Sequence, residues 1–250
     1  MLTTPAPEGQ ITCTVFASLQ DTIGTRHVTT MQGLADWLRS LPTAPAKEGL
    51  PLIKLATFSG GCGSEHLQAV YGIEGDYDGH GFTLEPAGAA TMLQAAGIAA
   101  LVYSTPSNRP DAPRWRVLCP LSGPVAPDAR HALVQVLNGA LGGCLARESF
   151  VASQRFYAGS VAGGQPVEIH TSTGQLIDRI TGIAPIGPPA STSERQPLGS
   201  LPAPAVEIVE ICAKRDRSGA TRLCRLARCD SRLSRCRRAA RCLGCVVLGL

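Results

Sequence analysis

The chain has 250 residues, of which 44% are hydrophobic and 17% are charged. This composition is that of an ordinary globular protein, so it excludes fibrous, collagen-like and wholly disordered classes. The longest apolar runs, residues 97–103 and 245–250, are far shorter than the roughly 20 residues that cross a bilayer. The N-terminus also lacks the basic and then apolar pattern of a signal peptide. We therefore expect a cytoplasmic protein with no membrane partner.

Charge and cysteine are unevenly distributed along the chain. Residues 211–250 hold eleven of the 23 Lys and Arg but two of the 19 Asp and Glu, which gives this segment a net charge of +9. The first 210 residues carry a net charge of −5. Six of the ten cysteines also fall in the last 40 residues. The other four are scattered, as expected of small apolar core residues rather than of a disulfide framework.

The body of the chain, residues 1–183, alternates between segments typical of strands and of helices. The predicted strands are residues 11–18, 52–58, 67–78, 98–104 and 115–120. The predicted helices are residues 30–41, 85–96 and 127–141. Residues 148–157 are ambiguous between helix and loop, whereas 166–170 and 175–180 are predicted as short closing strands. This order predicts an α/β or α+β domain with a mixed β-sheet flanked by helices.

The last part of the chain has a different character. Residues 184–204 are rich in Pro, Ser and Gly, which predicts a linker. The basic tail, residues 205–250, has no convincing amphipathic pattern, so we expect it to be disordered. It contains one close cysteine pair, Cys242 and Cys245, whereas a structural zinc site usually needs two such pairs. Zinc binding and a shifted reading frame in a GC-rich gene are the alternatives for this tail.

Residues 72–79, GIEGDYDG, end a predicted strand with two closely spaced carboxylates. Side chains two residues apart on a strand point to the same face, so Asp76 and Asp78 would project side by side. Mg²⁺ is the natural partner of such a pair, because it prefers oxygen ligands and takes one or two carboxylates together with substrate phosphates. The alternative is a solvated turn at a strand end, where Asp and Gly are common.

A pair of arginines follows further along the chain. Arg114 and Arg116 flank Trp115 at the start of a predicted strand, so the two share one face. Guanidinium groups bind phosphates through paired hydrogen bonds. A positive face beside an acidic metal site is suited to a nucleoside triphosphate. The alternative is that both arginines are surface charges on an edge strand.

Three segments, in this order, resemble motifs of the archaeo-eukaryotic primase superfamily, specifically the primase-like domains of phage and prophage replication proteins. The segments are GIEGDYDG, YSTPSNRPDAPRWRVLCPLS and GGCLARESFVASQRFYAG. Their order and spacing, within residues 53–178, carry the resemblance more than any one segment alone. The resemblance implies a primase-polymerase-like catalytic domain.

The resemblance also implies roles for individual residues. In the superfamily the first motif ends in two metal-binding acids, which match Asp76 and Asp78, and a later acid completes the metal site. Glu148 stands at about the place of that third acid, with Glu168 as the fallback. Asp76, Asp78 and Glu148 are the implied catalytic residues, and the implied metal is Mg²⁺ or Mn²⁺. The residues implied to bind the nucleotide are Ser107, Asn108, Arg114, Arg116 and Arg155.

One position departs from the superfamily pattern. Where related phage proteins have a histidine that contacts the incoming nucleotide, this chain has Asn108. An amide can hydrogen-bond a phosphate or a sugar, but it cannot carry a positive charge or transfer a proton.

The resemblance therefore implies a DNA primase-type nucleotidyltransferase of phage, prophage or plasmid replication. Its partners would be single-stranded DNA template and nucleoside triphosphates. The sequence has no P-loop motif, so a separate replicative helicase is a further candidate partner. Two alternatives stay open: a catalytically decayed replication-associated DNA-binding protein, and a metal-dependent nuclease that uses the same carboxylates.

Overall fold

The computed structural model describes residues 9–79, 83–190, 211–215 and 221–225. The chain forms two compact units, residues 1–192 and 193–250. The strands described in the first unit are β1 Ile11–Phe16, β2 Thr25–Thr29, β3 Leu52–Lys54, β4 Ala56–Phe58, β5 Leu67–Tyr77, β6 Ala100–Ser104, β7 Trp115–Val125, β8 Phe156–Tyr157 and β9 Ile169–Ser172. Its described α-helices are α1 Met31–Ser40, α2 Pro86–Ala95 and α3 Arg130–Ala140.

The strands of the first unit form two antiparallel sheets. One sheet has the order β2-β1-β3-β8, and the other has the order β4-β5-β7-β6-β9. The α+β class expected from the sequence is confirmed. The sequence predicted a mixed sheet, with parallel and antiparallel strands. In the structure every named strand pair is antiparallel. Parallel pairing in the described residues is confined to isolated bridges, Ala44 with Val161 and Ile98 with Gln175.

Two hydrophobic cores lie on opposite faces of the five-stranded sheet. Adjacent residues of one strand enter different cores, because strand side chains alternate. Val102 and Val117 pack in the core that contains α2 and α3. Leu101 and Leu118 pack in the core that contains α1 and the four-stranded sheet. The five-stranded sheet is therefore the central layer of the unit.

The three predicted helices are confirmed within a few residues at their ends. The Thr30 hydroxyl accepts the Gly33 N–H at 3.1 Å and so caps the start of α1. Strand β2 is not among the predicted elements, because its exposed, polar residues carry no hydrophobic pattern. The strand predicted at residues 175–180 is wrong: a 3₁₀ turn, Ile177–Arg179, forms there and buries Ile177.

The single strand predicted at residues 52–58 is also wrong. Leu55 interrupts it, so that β3 belongs to the four-stranded sheet and β4 to the five-stranded sheet. The chain thus crosses from one sheet to the other within seven residues. Periodicity cannot show this crossing, because every residue of β3 is buried, as are Leu55 and Ala56.

The first residues of the predicted linker contact the folded body. The Asn138 side chain donates to the carbonyl oxygens of Ile186 at 3.1 Å and of Gly187 at 3.0 Å. Ile186 N–H donates to the carbonyl of Gln135 at 2.9 Å. The chain is therefore attached to α3 as far as residue 187, beyond the predicted boundary at residue 183.

In the second unit the structure describes the backbone of two strands, β10 Ile211–Arg215 and β11 Thr221–Arg225. They pair antiparallel, from Ile211 opposite Arg225 to Arg215 opposite Thr221. The remainder of the predicted tail, including Cys242 and Cys245, lies outside the described residues. Among the residues described, no helix has both the length and the apolar character that crossing a bilayer requires.

A buried group of charges connects the two sheets with α3. The Glu74 carboxylate accepts from Lys54 Nζ at 2.6 Å, from Arg130 Nη2 at 3.0 Å and from the backbone N–H of Leu55. The side chains of Lys54 and Glu74 are fully buried. Burial lowers the pKa of Lys54 to about 8. Burial alone would raise the pKa of Glu74, but Lys54 and Arg130 outweigh it, so the pKa of this carboxyl lies below its usual value.

We expect Glu74→Gln to lower the free energy of unfolding by about 3–5 kcal/mol, because it leaves two buried cations without a counter-charge. Denaturant unfolding followed by circular dichroism measures this change. Asp36→Asn is the matched control, since it breaks an exposed pair with Arg39 and should cost less than about 1 kcal/mol. Similar losses in both variants would contradict the structural importance of the buried group.

The four cysteines of the first unit should differ in reactivity. Cys13, Cys119 and Cys144 are buried, whereas Cys62 is partly exposed. Burial raises the pKa of Cys13 to about 12 and that of Cys144 to about 11, and it raises the pKa of Cys119 as well. Because the thiolate is the reactive form, Cys62 should be alkylated at least about tenfold faster than the other three. Timed iodoacetamide labelling of the folded protein, read by peptide mass spectrometry, measures the order. Rapid labelling of Cys119 would contradict the packing of β7.

Candidate functional site

Strands β5 and β7 lie side by side within the five-stranded sheet, and the end of β5 pairs with the start of β7. Asp76 is opposite Arg116, and Tyr77 is opposite Trp115. The aromatic rings stack with their centroids 4.8 Å apart in the core that contains α2 and α3. Because side chains alternate, the charged pair lies on the other face of the sheet. The aromatic stack thus fixes the strand ends from one side and leaves the charged residues on the other.

Two glycines in the acidic segment lie where a side chain would be unfavourable. A Cβ on Gly75 would lie 2.9 Å from both terminal methyl groups of Leu145, so β5 packs this closely only without a side chain there. Gly79 has a φ of +89°, which lies in the left-handed region that favours glycine. The chain turns at Gly79 directly after Asp78, so the second acid stays at the end of the strand.

The strand ends open into a cleft of about 100 Å³. The residues that line it are Lys47, Asp76, Tyr77, Asp78, Thr105, Pro106, Ser107, Arg114, Arg116 and Glu148. Six of the eight site residues predicted from the sequence therefore meet here: Asp76, Asp78, Glu148, Ser107, Arg114 and Arg116. The two exceptions are Asn108 and Arg155.

A larger groove, of about 470 Å³, lies between the end of α1 and residues 160–167. Its lining residues are apolar, small or hydroxyl-bearing apart from Arg39, and they include no carboxylate. The smaller cleft has the chemically useful groups, so it is the better candidate for a site despite its size.

Asp76 and Arg116 form an ion pair in the cleft. Arg116 Nε donates to Asp76 Oδ1 at 2.8 Å, and Arg116 Nη1 donates to the backbone carbonyl of Tyr157 at 2.6 Å. Tyr103 donates its hydroxyl to the same carbonyl at 3.2 Å, and burial raises the pKa of this tyrosine to about 12. Its hydroxyl is therefore neutral at ordinary pH. Arg116 is buried and holds Asp76 against the edge of β8.

A turn that carries Glu148 runs beside Asp76, along the part of β5 that does not pair with β4. Asp76 N–H donates to the Ser149 hydroxyl at 2.9 Å, and Ala146 N–H donates to the Asp76 carbonyl at 2.8 Å. The turn, Arg147–Phe150, is a 3₁₀ helix in which Ser149 is buried and Glu148 is exposed. Glu148 reaches the cleft from this turn, whereas Asp76 and Asp78 reach it from β5.

Lys47 is the charged residue of the cleft lining that the sequence did not indicate. It begins a 3₁₀ turn, Lys47–Gly49, and its ammonium lies 5.0 Å from the centroid of the Tyr157 ring. Its position in the cleft depends on chain segments more than 20 residues away, so no local pattern points to it. With Lys47, the cleft has three cations and three carboxylates.

The loop before β7 brings Ser107 to the cleft, whereas the Asn108 side chain forms a hydrogen bond within the loop. The Asn108 side-chain oxygen accepts the Arg114 N–H at 2.8 Å, and Thr105 N–H donates to the Arg114 carbonyl at 2.9 Å. The structure thus shows Asn108 closing the loop that presents Ser107 and Arg114.

Arg155 and Glu168 lie away from the cleft lining. Arg155 Nη1 donates to the Asp21 carbonyl at 2.6 Å, and its guanidinium lies 4.6 Å from the centroid of the Phe16 ring. Glu168 pairs with the imidazole of His170. Of the two candidates for a third acid, Glu148 is the one at the cleft.

The carboxylates fit one mode of divalent cation binding better than another. Among the residues that the structure describes, no three His, Cys, Asp or Glu side chains are grouped closely enough to form an all-protein metal cage. Mg²⁺ commonly takes one or two carboxylates and completes its shell with water and substrate phosphates. Asp76 and Asp78 lining one cleft beside cationic side chains match this second mode.

No protein-family model and no curated protein matches the sequence. Among solved structures, the chain is similar to the AEP domain of the cyanophage S-2L primase-polymerase (PrimPol), with a TM-score of 0.38 and 16% sequence identity. The match covers 66% of this chain and 84% of that chain. Because the TM-score and the identity are both low, the proposals that follow rest on contacts within the chain itself.

We expect Asn108→Ala to speed hydrogen exchange at the Arg114 amide by about 5- to 10-fold, since a lost hydrogen bond is worth about 1 kcal/mol. Exchange followed by mass spectrometry measures this rate. Asn108→Asp keeps the acceptor oxygen and should exchange like the wild type. An unchanged rate in Asn108→Ala would show that other contacts hold the loop.

Proposed function

We propose that this chain is a cytoplasmic nucleotidyltransferase of the primase-polymerase type, which acts on single-stranded DNA in phage, prophage or plasmid replication. The observation that supports this most strongly is the cleft in which three carboxylates and three cations meet. Carboxylates suit a divalent cation, and lysine and arginine suit the phosphates of a nucleotide. The reaction would be attack of a 3′-hydroxyl on a nucleoside triphosphate, with release of pyrophosphate.

The carboxylates of the cleft would bind the metal ion, and its cations would bind the nucleotide or orient a carboxylate. Asp76 and Asp78 would provide carboxylate oxygens from the strand, and Glu148 would provide a third carboxylate from the turn. When bound, Mg²⁺ or Mn²⁺ supplies charge neutralisation at the phosphates and activation of the attacking hydroxyl. The fold would contribute by holding the carboxylates in place before substrate binds.

The cations of the cleft would act in two ways. Lys47 and Arg114 are exposed, so both are accessible to the phosphate oxygens of a nucleotide. Arg116 is buried against Asp76 and Tyr157, so its role would be to orient Asp76. Ser107 would hydrogen-bond a phosphate or the sugar from the exposed loop.

DNA binding would depend on the C-terminal part of the chain. Affinity for the phosphate backbone comes mainly from Lys and Arg. The first 210 residues carry a net charge of −5, and residues 211–250 carry +9. We therefore assign nonspecific contact with the template to the basic tail, and the nucleotide to the cleft.

A second candidate is a DNA-binding protein that keeps the fold without catalysis. The observation that favours it is Asn108, which holds the loop and has no group able to transfer a proton. A metal-dependent nuclease is the third candidate, because it would use the same carboxylates.

One assay separates the three candidates. The full-length protein is incubated with end-labelled single-stranded DNA, ribo- or deoxynucleoside triphosphates, and Mg²⁺ or Mn²⁺. New strands complementary to the template support the nucleotidyltransferase. Shortened template supports the nuclease, and a gel shift without either product supports the binding protein.

Within this assay, we expect Asp78→Asn to lower strand synthesis by about 100-fold, the effect of losing roughly 3 kcal/mol of transition-state stabilisation. Asp111→Asn is the matched control, because Asp111 is an exposed carboxylate of the loop before β7 but does not itself line the cleft. Synthesis should be unchanged in the control. Equal activity in wild type and Asp78→Asn would exclude this cleft as the active site.

A further inference from the structure

Arg130 begins α3, and its side chain is buried outside the cleft, with an exposed fraction of 1%. Its Nη2 donates to Glu74 Oε2 at 3.0 Å and to the Glu74 carbonyl at 3.2 Å. Its Nη1 donates to the Ser149 carbonyl at 2.9 Å and contacts the Val151 carbonyl at 3.5 Å. One guanidinium therefore joins β5 to the turn that carries Glu148.

The turn that carries Glu148, Arg147–Phe150, and the residue before it also contact Asp76 directly. The Ser149 hydroxyl accepts the Asp76 N–H, and the Asp76 carbonyl accepts the Ala146 N–H. Glu148 lies between these two attachment points and lines the cleft. The separation of Glu148 from Asp76 is therefore set by a chain of contacts that starts at Arg130 and passes through Ser149.

Charge pairing with Glu74 does not account for this arrangement of Arg130. Three of its four acceptors are backbone carbonyls, and Lys54 already gives Glu74 a buried cation at 2.6 Å. A guanidinium presents its donors in a rigid fork, whereas an ammonium is a single point charge. The fork is what lets one side chain bind the strand and the turn together.

We propose that Arg130 is a positioning residue, which holds the turn of Glu148 at a fixed distance from Asp76 and Asp78 and so sets the affinity of the cleft for a divalent cation with nucleotide. This inference rests on the function proposed above. Residues that orient metal ligands from outside the coordination shell typically contribute about 10- to 100-fold to metal affinity or activity.

The test compares variants of the full-length protein by calorimetric titration of Mn²⁺ in the presence of dATP, with thermal unfolding measured in parallel. Arg130→Met should lower the Mn²⁺ affinity by about 10-fold or more. Ser149→Ala should also lower the Mn²⁺ affinity, because it removes the hydroxyl that accepts the Asp76 N–H. Lys54→Met is the matched control: it removes the other buried cation beside Glu74. Glu74 stays bound to Arg130 and to the Leu55 N–H, and the turn stays attached, so the Mn²⁺ affinity of this variant should be unchanged.

Equal losses in Arg130→Met and Lys54→Met would show that both act through general stability, and would overturn the proposal. Wild-type affinity in Arg130→Met would overturn it as well. If Arg130→Met does not fold, Arg130→Lys replaces it, because lysine keeps the charge opposite Glu74 but cannot reach the strand and the turn together. Lowered affinity in folded Arg130→Lys supports the proposal, and wild-type affinity overturns it.

The same titration separates this inference from the proposed function. Wild-type protein that binds no Mn²⁺ with dATP overturns the proposed function, and this inference with it. Wild-type binding that persists in the Arg130 and Ser149 variants overturns the inference alone. Loss confined to those variants supports both.

Discussion

The carboxylate of Glu74 joins three parts of the fold that are distant in sequence. Its hydrogen bonds come from Lys54 in β3, from the backbone of Leu55 where the chain crosses between the sheets, and from Arg130 at the start of α3. Moving such charges out of water costs several kcal/mol for each ion, and only good geometry with further hydrogen bonds offsets that cost. Both carboxylate oxygens accept hydrogen bonds in this way, and the Lys54 ammonium donates one of them. The relative placement of the two sheets and of α3 is therefore tied to a single side chain.

This constraint reaches the cleft because of strand alternation. Glu74 and Asp76 share a face of β5, and Asp78 follows just beyond the strand end. The acids differ in burial and in partners: Glu74 is fully buried between two cations, whereas Asp76 is half-buried against Arg116. Because Glu74 is held in the core, the end of β5 that carries Asp76 and Asp78 can move little. Preorganised charge of this kind is what an active site requires, since no reorganisation is then needed during reaction.

The sequence predicted the parts of the site that depend on local pattern, and it missed those that depend on distant chain segments. Alternation placed Asp76 and Asp78 on one face of their strand and the two arginines on one face of theirs. The resemblance to the primase superfamily implied that Glu148 joins the two acids. Glu74 had the same two-residue spacing as Asp76 and Asp78, but its partners lie 20 and 56 residues away. Lys47 carries no motif, and Arg155 is held by carbonyls of the loop after β1. Periodicity shows which face a residue occupies, but it does not show which chain segment will pack against that face.

The partner of Arg116 changes the expected assignment of the phosphate-binding groups. Its guanidinium is buried and already donates to Asp76 and to the Tyr157 carbonyl, so little of its surface is open to a ligand. Lys47 and Arg114 are the exposed cations of the cleft, and phosphate recognition would fall to them. With three cations and three carboxylates, the cleft is close to neutral and offers a bare triphosphate little net attraction. A triphosphate that arrives with its divalent cation carries less negative charge, so under the proposed function the metal-bound nucleotide would meet less repulsion from the three carboxylates than the free one would.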